Sequence, residues 1–410
     1  VTGQLESRLL TLVTLGLVAF GLVMVYSATS APAALGGGDP GYYLKKQGVY
    51  ALAGLVLLIV ASRMPYRALK QLAPTMVVVS LGLLLAVLVV GEAVNGARRW
   101  LTFGPAVFQP SELAKLSLAV WAAAYLARRP APQTLGELAK PLGLLALLFC
   151  GLVLVQPDLG TAITIMVMLG GVLLVSGTPL SLLGAAGAIV AVAGVAAIWL
   201  EPYRRARLLA FLDPWSDPQN SGFQSVQALI GLGSGGVFGE GLGQGISKVF
   251  YLPEAHTDMI FAIVGEELGL LGTTTVIAGF AVFAYTGMRI ALRCKDPFGK
   301  RLAAGLTTLV CGQAVINLAA VMGVAPLTGI PLPFVSYGGS SLVVLLASVG
   351  VLLNIATDDG RARRASVPDR RRRDGGSRAP RARGGGSARR ARSGGDVRRV
   401  AGSRRGAARS

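Results

Sequence analysis

Histidine occurs once, at His256, and cysteine three times, at Cys150, Cys294 and Cys311. Two of the cysteines sit in apolar runs and one in a short basic loop, so neither a disulfide framework nor a metal-ligand spacing can be assembled from them. Charged side chains are only 14% of the chain, well short of the roughly 25% of an ordinary soluble domain. Apolar residues take their place. Of the 410 residues 53% are hydrophobic, the mean hydropathy is +0.60, and apolar runs of roughly 20 residues, enough to cross a bilayer, recur.

Acidic residues are scarce too, 20 against 39 Lys and Arg, for a net charge of +19. The imbalance is concentrated at one end. From Asp358 to Ser410 there are 18 Arg against 5 Asp, leaving 21 Lys and Arg against 15 Asp and Glu for the rest. This tail is Arg, Gly, Ser, Ala and Pro without apolar residues to build a core, so it is expected to be disordered. It suits an anionic lipid surface or an acidic partner; contact with nucleic acid would be nonspecific.

These features predict an all-α polytopic membrane protein in two parts, a transmembrane domain over 1–357 and a disordered tail over 358–410. About ten spans are expected, near residues 9–26, 48–62, 73–90, 110–126, 140–155, 160–176, 180–199, 258–288, 302–324 and 334–356. The first is longer than the apolar core of a signal peptide and reads as a permanent span. The eighth is long enough to be tilted, broken or partly outside the hydrocarbon. Basic residues in the short loops put both termini in the cytoplasm. A large loop over 201–257, between spans seven and eight, then faces outward, and a loop of that length is usually functional. Within it Gly231 to Gly236 fits GxGxxG, but no βαβ unit surrounds it, which excludes a dinucleotide site. The loop's glycines suit close packing on lipid headgroups or a substrate diphosphate, or plain flexibility.

Tyr251 to Phe261 carries the single histidine and Asp258 where this polar loop enters an apolar run. A carboxylate there is partly desolvated, which raises its basicity and suits it to take a proton from a sugar hydroxyl. Capping the following helix is the alternative reading. His256 is a rival base or a partner of Asp258. Glu112 and Lys115, three apart on one helix face, read first as an ion pair and second as cavity lining. Glu266 lies about 12 Å beyond Asp258 along a continuous helix and can only support it. Asp158 reads as holding a neighbouring loop rather than an ion.

Several separated blocks carry a resemblance. They are Asn95-Gly96-Ala97-Arg98-Arg99-Trp100, Gln109-Pro110-Ser111-Glu112-Leu113-Ala114-Lys115, Gln156-Pro157-Asp158-Leu159-Gly160-Thr161, Phe211-Leu212-Asp213-Pro214-Trp215, Gly233-Ser234-Gly235-Gly236, Leu252-Pro253-Glu254-Ala255-His256-Thr257-Asp258, Gly265-Glu266-Glu267-Leu268-Gly269 and Pro333 to Ser341. In this order they resemble the SEDS family of peptidoglycan glycosyltransferases (FtsW, RodA, SpoVE), over residues 9–356. The chain is more similar to the division branch, FtsW, than to the elongation branch, RodA. Thr328, where some division members carry lysine, and Met259, where Phe is more usual, depart from the pattern and keep both branches open.

The resemblance implies polymerisation of lipid II on the outer face of the bacterial cytoplasmic membrane, at the division septum. The 4-hydroxyl of a GlcNAc attacks a MurNAc anomeric carbon, with inversion and release of undecaprenyl diphosphate. The family's essential aspartate falls on Asp258. Arg98, Arg99, Arg204, Arg205 and Arg207 are the available diphosphate-binding cations. Trp100, His256, Ser336 and Ser340 are candidate substrate contacts, and Glu112, Lys115, Glu254 and Glu266 candidate supports. No metal ligand is assigned, and a divalent cation, Mg or Mn, is the one cofactor considered. The implied partners are a class B penicillin-binding transpeptidase and division-complex membrane proteins. A lipid II flippase or transporter, an elongation polymerase and a silent scaffold are the competing readings.

Overall fold

The structure is a computed structural model describing residues 2–94, 97–104, 106–249 and 252–365. The Arg-rich tail from 366 onward, Asn95 and Gly96 of the first motif block, and Tyr251 lie outside the described residues. The helices are α1 (Thr2–Leu35), α2 (Tyr42–Arg63), α3 (Arg67–Val90), α4 (Pro110–Leu126), α5 (Leu135–Leu138), α6 (Leu144–Val155), α7 (Leu159–Ser176) and α8 (Leu180–Trp199). They are followed by α9 (Pro202–Leu212), α10 (Phe223–Ser234), α11 (Ile260–Arg293), α12 (Pro297–Val321) and α13 (Gly339–Ala365). Among the described residues nine helical stretches are long and apolar enough to cross a membrane. The 17-residue α4 sits between the third and fourth of them, in the place of the remaining expected span.

Apolar side chains cover the outside of the bundle, as a bilayer requires: Leu12, Val49, Val78, Leu147 and Val192 are all exposed. The most apolar windows of α12 and α13 are 67% and 78% buried, that of α8 only 6%. The centre is therefore α12 and α13, and α8 is peripheral. Backbones come close where side chains vanish; a Cβ on Gly350 of α13 would run into the Leu58 carbonyl of α2, the small-residue contact typical of packed spans.

Two features depart from an all-helical chain with one long loop. Between α3 and α4 the chain forms a small antiparallel sheet, β1 (Glu92–Val94), β2 (Ala97–Phe103) and β3 (Ala106–Phe108), with β2 in the middle. Between α8 and α11 the large loop contains α9 and α10. The last helix also continues past residue 357 to Ala365.

The long α11 is broken at Gly269, whose φ of 62° and ψ of −155° belong to a region essentially reserved for glycine. The break lets the glycine-rich segment after α10 dock on it. Glu240 and Gly241 donate backbone N–H groups to the Glu266 and Glu267 carbonyls, and Leu270 donates to Gly236. A Cβ on Gly239 would collide with the Glu267 carbonyl. The glycines around Gly236 to Gly241 thus serve backbone contact with α11.

Replacing Gly269 with alanine puts a Cβ 2.5 Å from the Gly239 nitrogen and 2.6 Å from the Val237 oxygen. Gly269→Ala is expected to lower stability in detergent by at least about 1–3 kcal/mol. Gly82→Ala, with nothing within 4 Å of the new methyl group, is expected to be neutral or to stabilise by up to about 1 kcal/mol. Thermal unfolding of both variants measures the difference.

Candidate active site

Alternating helices bring the α1–α2, α3–α4, α6–α7, α8–α11 and α12–α13 connections to one end of the bundle. Cross-contacts confirm the grouping. Arg99 donates to the Gln156 and Pro157 carbonyls, Gln109 Nε2 lies 3.3 Å from Asp158 Oδ2, and the His256 ring lies 4.6 Å from Tyr43 and 5.5 Å from Tyr337.

Asp258 is at this end, buried two residues before α11 begins. Its carbonyl accepts from Asn317 Nδ2 of α12 at 2.8 Å, and the same amide donates to the Ile330 carbonyl at 2.8 Å. One α12 side chain therefore fixes both the Asp258 backbone and the irregular segment 322–338. That segment is held twice more. Gln313 donates to the Pro331 carbonyl at 3.0 Å, and Gln47 of α2 to the Ser336 carbonyl at 3.1 Å.

The Asp258 carboxylate meets the Thr257 hydroxyl at 3.2 Å. Gly329, at φ 71°, lies between this carboxylate and Arg207: a Cβ there would stand 3.9 Å from Asp258 Oδ2 and 3.8 Å from Arg207 Nη1, in ordinary contact with both. Burial pushes the Asp258 carboxyl up to about 6; the Glu254 charge acts in the same direction and Arg207 opposes it. The result is a carboxylate more basic than usual with a guanidinium alongside, a pairing suited to moving one proton while steadying nearby negative charge.

The other candidates divide. Arg207, on α9, comes to Asp258, whereas Arg205 of the same helix is exposed. The Arg204 side chain lies outside the described ones. Arg98 and Arg99 point to opposite faces of β2. Arg98 Nη1 lies 3.4 Å from the Leu88 and Val89 carbonyls at the end of α3, and Arg99 ties the sheet to the α6–α7 turn. Trp100, half-buried, pairs with Glu92 across β1 and β2. His256 lies in a ring cluster with Tyr43 and Tyr337, and burial lowers its pKa. Glu254, exposed at φ 54°, accepts from the Thr257 hydroxyl.

Ser336 and Ser340, expected to touch substrate, support the backbone. Ser336 Oγ accepts from Leu332 N at 2.8 Å and Ser340 Oγ from Gln109 N at 3.2 Å. Asp158 caps α7 through Thr161. Glu112 and Lys115 form the expected ion pair at 2.9 Å, buried, and Lys115 continues to Gln313 at 2.8 Å. Glu266 accepts the backbone N–H groups of Ile246 and Ser247 at 2.8 and 3.0 Å.

Sequence reasoning passed over a second buried ion pair. Lys248 Nζ lies 2.6 Å from Glu267 Oε1, and Ser27 of α1 donates to both oxygens of that carboxylate. It joins α1, α11 and the segment leading to Asp258. Among the described residues no group of three or more His, Cys, Asp or Glu side chains is placed to hold a metal ion.

The comparisons agree among themselves. The family of FtsW, RodA and SpoVE, described as cell cycle proteins, matches residues 7–360. A Geobacter metallireducens protein named "Probable peptidoglycan glycosyltransferase FtsW" is 42% identical over 354 residues, 84% of this chain and 93% of its own length. One of the same name from Nitrosococcus halophilus is 44% identical over 349 residues, 83% of this chain and 89% of the relative. Among solved structures, a chain of a peptidoglycan synthase complex that coordinates polymerization and crosslinking aligns with a TM-score of 0.72 at 33% identity, covering 85% of this chain and 97% of the other. The rod shape determining protein RodA of Thermus thermophilus aligns with a TM-score of 0.64 at 31% identity, covering 85% and 96%.

Removing one member of the Lys248–Glu267 pair strands a buried charge. Glu267→Leu or Lys248→Met alone is expected to cost about 3–5 kcal/mol, and the double replacement distinctly less than the sum. A double-mutant cycle on thermal or denaturant unfolding in detergent reads the coupling.

Proposed function

The chain belongs to the FtsW/RodA/SpoVE family, and on that premise we propose that it is a peptidoglycan glycosyltransferase polymerising lipid II, with Asp258 as general base. The observation that carries this reading is the buried, basic Asp258 carboxylate with Arg207 across Gly329 from it. Asp258 takes the proton from the 4-hydroxyl of the acceptor GlcNAc as the oxygen attacks the anomeric carbon of MurNAc. The bond to undecaprenyl diphosphate breaks with inversion, and Arg207 steadies the charge that collects on the departing diphosphate. The family relatives named FtsW support septal wall synthesis in cell division as the setting. The synthase complex among the structural neighbours supports a crosslinking partner, a class B penicillin-binding transpeptidase. The charge asymmetry of the loops supports an outward site and cytoplasmic termini. A divalent cation accompanying the diphosphate would have to take most of its ligands from substrate and water, as Mg ions at phosphates commonly do.

The test is chain synthesis from lipid II by the purified protein with its transpeptidase partner in detergent, where no second compartment exists. Asp258→Asn is expected to cut polymerisation by roughly 10² to 10⁴; glycan strands made by that variant at the wild-type rate would remove Asp258 as the base. Wild-type polymerisation should rise with pH through an inflection near about 6, as the carboxylate ionises. Stability should move the other way. The Asp258 carboxyl has a folded pKa above its unfolded value, so its contribution is full below about 4 and is lost as pH rises through about 6. Unfolding curves at pH 5 and pH 8 should show this slope in the wild type and not in Asp258→Asn.

A further inference from the structure

At the opposite end of the bundle, α3 and α4 part to leave a cleft of about 270 Å³ lined by Lys70, Trp121, Tyr125, Arg128 and Arg129 over a floor that includes buried Ala73. The volume is close to the lower limit of small-ligand sites, about 300 Å³. We propose that this cleft binds the phosphate headgroup of an anionic phospholipid from the adjacent leaflet. The proposal does not depend on the reading of Asp258.

Three observations carry it. The first is charge. No carboxylate lines the cleft, and among the described residues none of Lys70, Arg128 and Arg129 takes part in a salt bridge. Among the described side chains the carboxylates at this end are engaged elsewhere: Glu6 with Arg289 and Arg293, Asp296 and Asp358 with Arg67, and Glu137 with the Gln133 N–H. The second is preorganisation. Trp121 stacks on Tyr125 with centroids 5.2 Å apart and planes 8° apart, while the Arg129 guanidinium lies 4.9 Å over the Tyr125 ring and donates to its hydroxyl at 2.9 Å. An arginine held over an aromatic ring by one of its five N–H groups has others left to bind a phosphate. The third is depth. Lys70 lies in the first turn of α3, and Arg128 and Arg129 follow the last turn of α4. The cations therefore stand where the spans leave the hydrocarbon, with aromatic rings just inside them, the level of lipid phosphates. Acyl chains continue along the apolar outside of the same helices, which free phosphate cannot do.

Native mass spectrometry of the delipidated full-length protein, titrated with phosphatidylglycerol or phosphatidylcholine, tests the site. Phosphatidylglycerol should be retained at least about tenfold better than phosphatidylcholine. The Lys70→Gln/Arg128→Gln/Arg129→Gln variant should lose at least about tenfold of that retention, against less than about twofold for Arg63→Gln/Lys295→Gln/Lys300→Gln, an equal charge change at the same end. Equal losses in the two variants would show bulk attraction and overturn the site. Displacement of the lipid by millimolar inorganic phosphate would overturn the lipid as occupant. Should the triple variant aggregate, Lys70→Gln alone replaces it with an expected loss of about fivefold, and unchanged retention in that variant counts against the cleft.

Discussion

Irregular backbone inside a membrane bundle has no water to bond with, so each such segment must find its partners in the surrounding protein. Two irregular segments run into this one, 236–249 and 322–338. Both are held by buried polar side chains on otherwise apolar helices. Gln47, Gln313 and Asn317 take carbonyls of the second segment, and Glu266 takes amides of the first. The candidate active site lies beside the second segment, whose Ile330 carbonyl shares the Asn317 amide with Asp258. Its geometry is set by this satisfaction of backbone groups more than by the apolar packing around it.

The same constraint sorts the buried charges. Glu112 has Lys115, Glu267 has Lys248 and Ser27, and Glu266 has two backbone amides. Each carboxylate is satisfied locally, by a lysine or by amides, and holds structure. Asp258 meets a hydroxyl and a guanidinium across a glycine, and burial raises its affinity for a proton. That contrast separates the carboxylate fit for chemistry from those fit for architecture, in a bundle where all four are buried.

Much of this was legible in the sequence. Apolar run length located the spans, because the bilayer fixes how long a helix must be. The Glu112–Lys115 pair followed from helical spacing, and Asp258 stood out because it is a charge at the edge of an apolar run. The three short strands did not announce themselves, since β1 and β3 have three residues each and lack a readable alternation. Lys248 and Glu267 are 19 residues apart, on either side of the stretch that carries Asp258, and no local period joins them. A missed signal existed for Gln313 and Asn317: two amides four residues apart fall on one face of an apolar helix, and an isolated polar stripe in a span asks for a buried acceptor. Ser336 and Ser340 were misleading because a hydroxyl near a glycine-rich bend serves the backbone as readily as a ligand.

The discontinuity at Gly269 has a mechanical consequence. The short rod from Ile260 to Leu268 is stitched to the segment after α10 and stands directly after Asp258, while the longer rod beyond Gly269 runs on through the hydrocarbon. Leu270 and Leu271, the first residues of that longer rod, bond to Gly236 and Val237, so the same loop splints both sides of the joint. The two rods are thereby clamped to one support, and the short one carries that support up to the carboxylate.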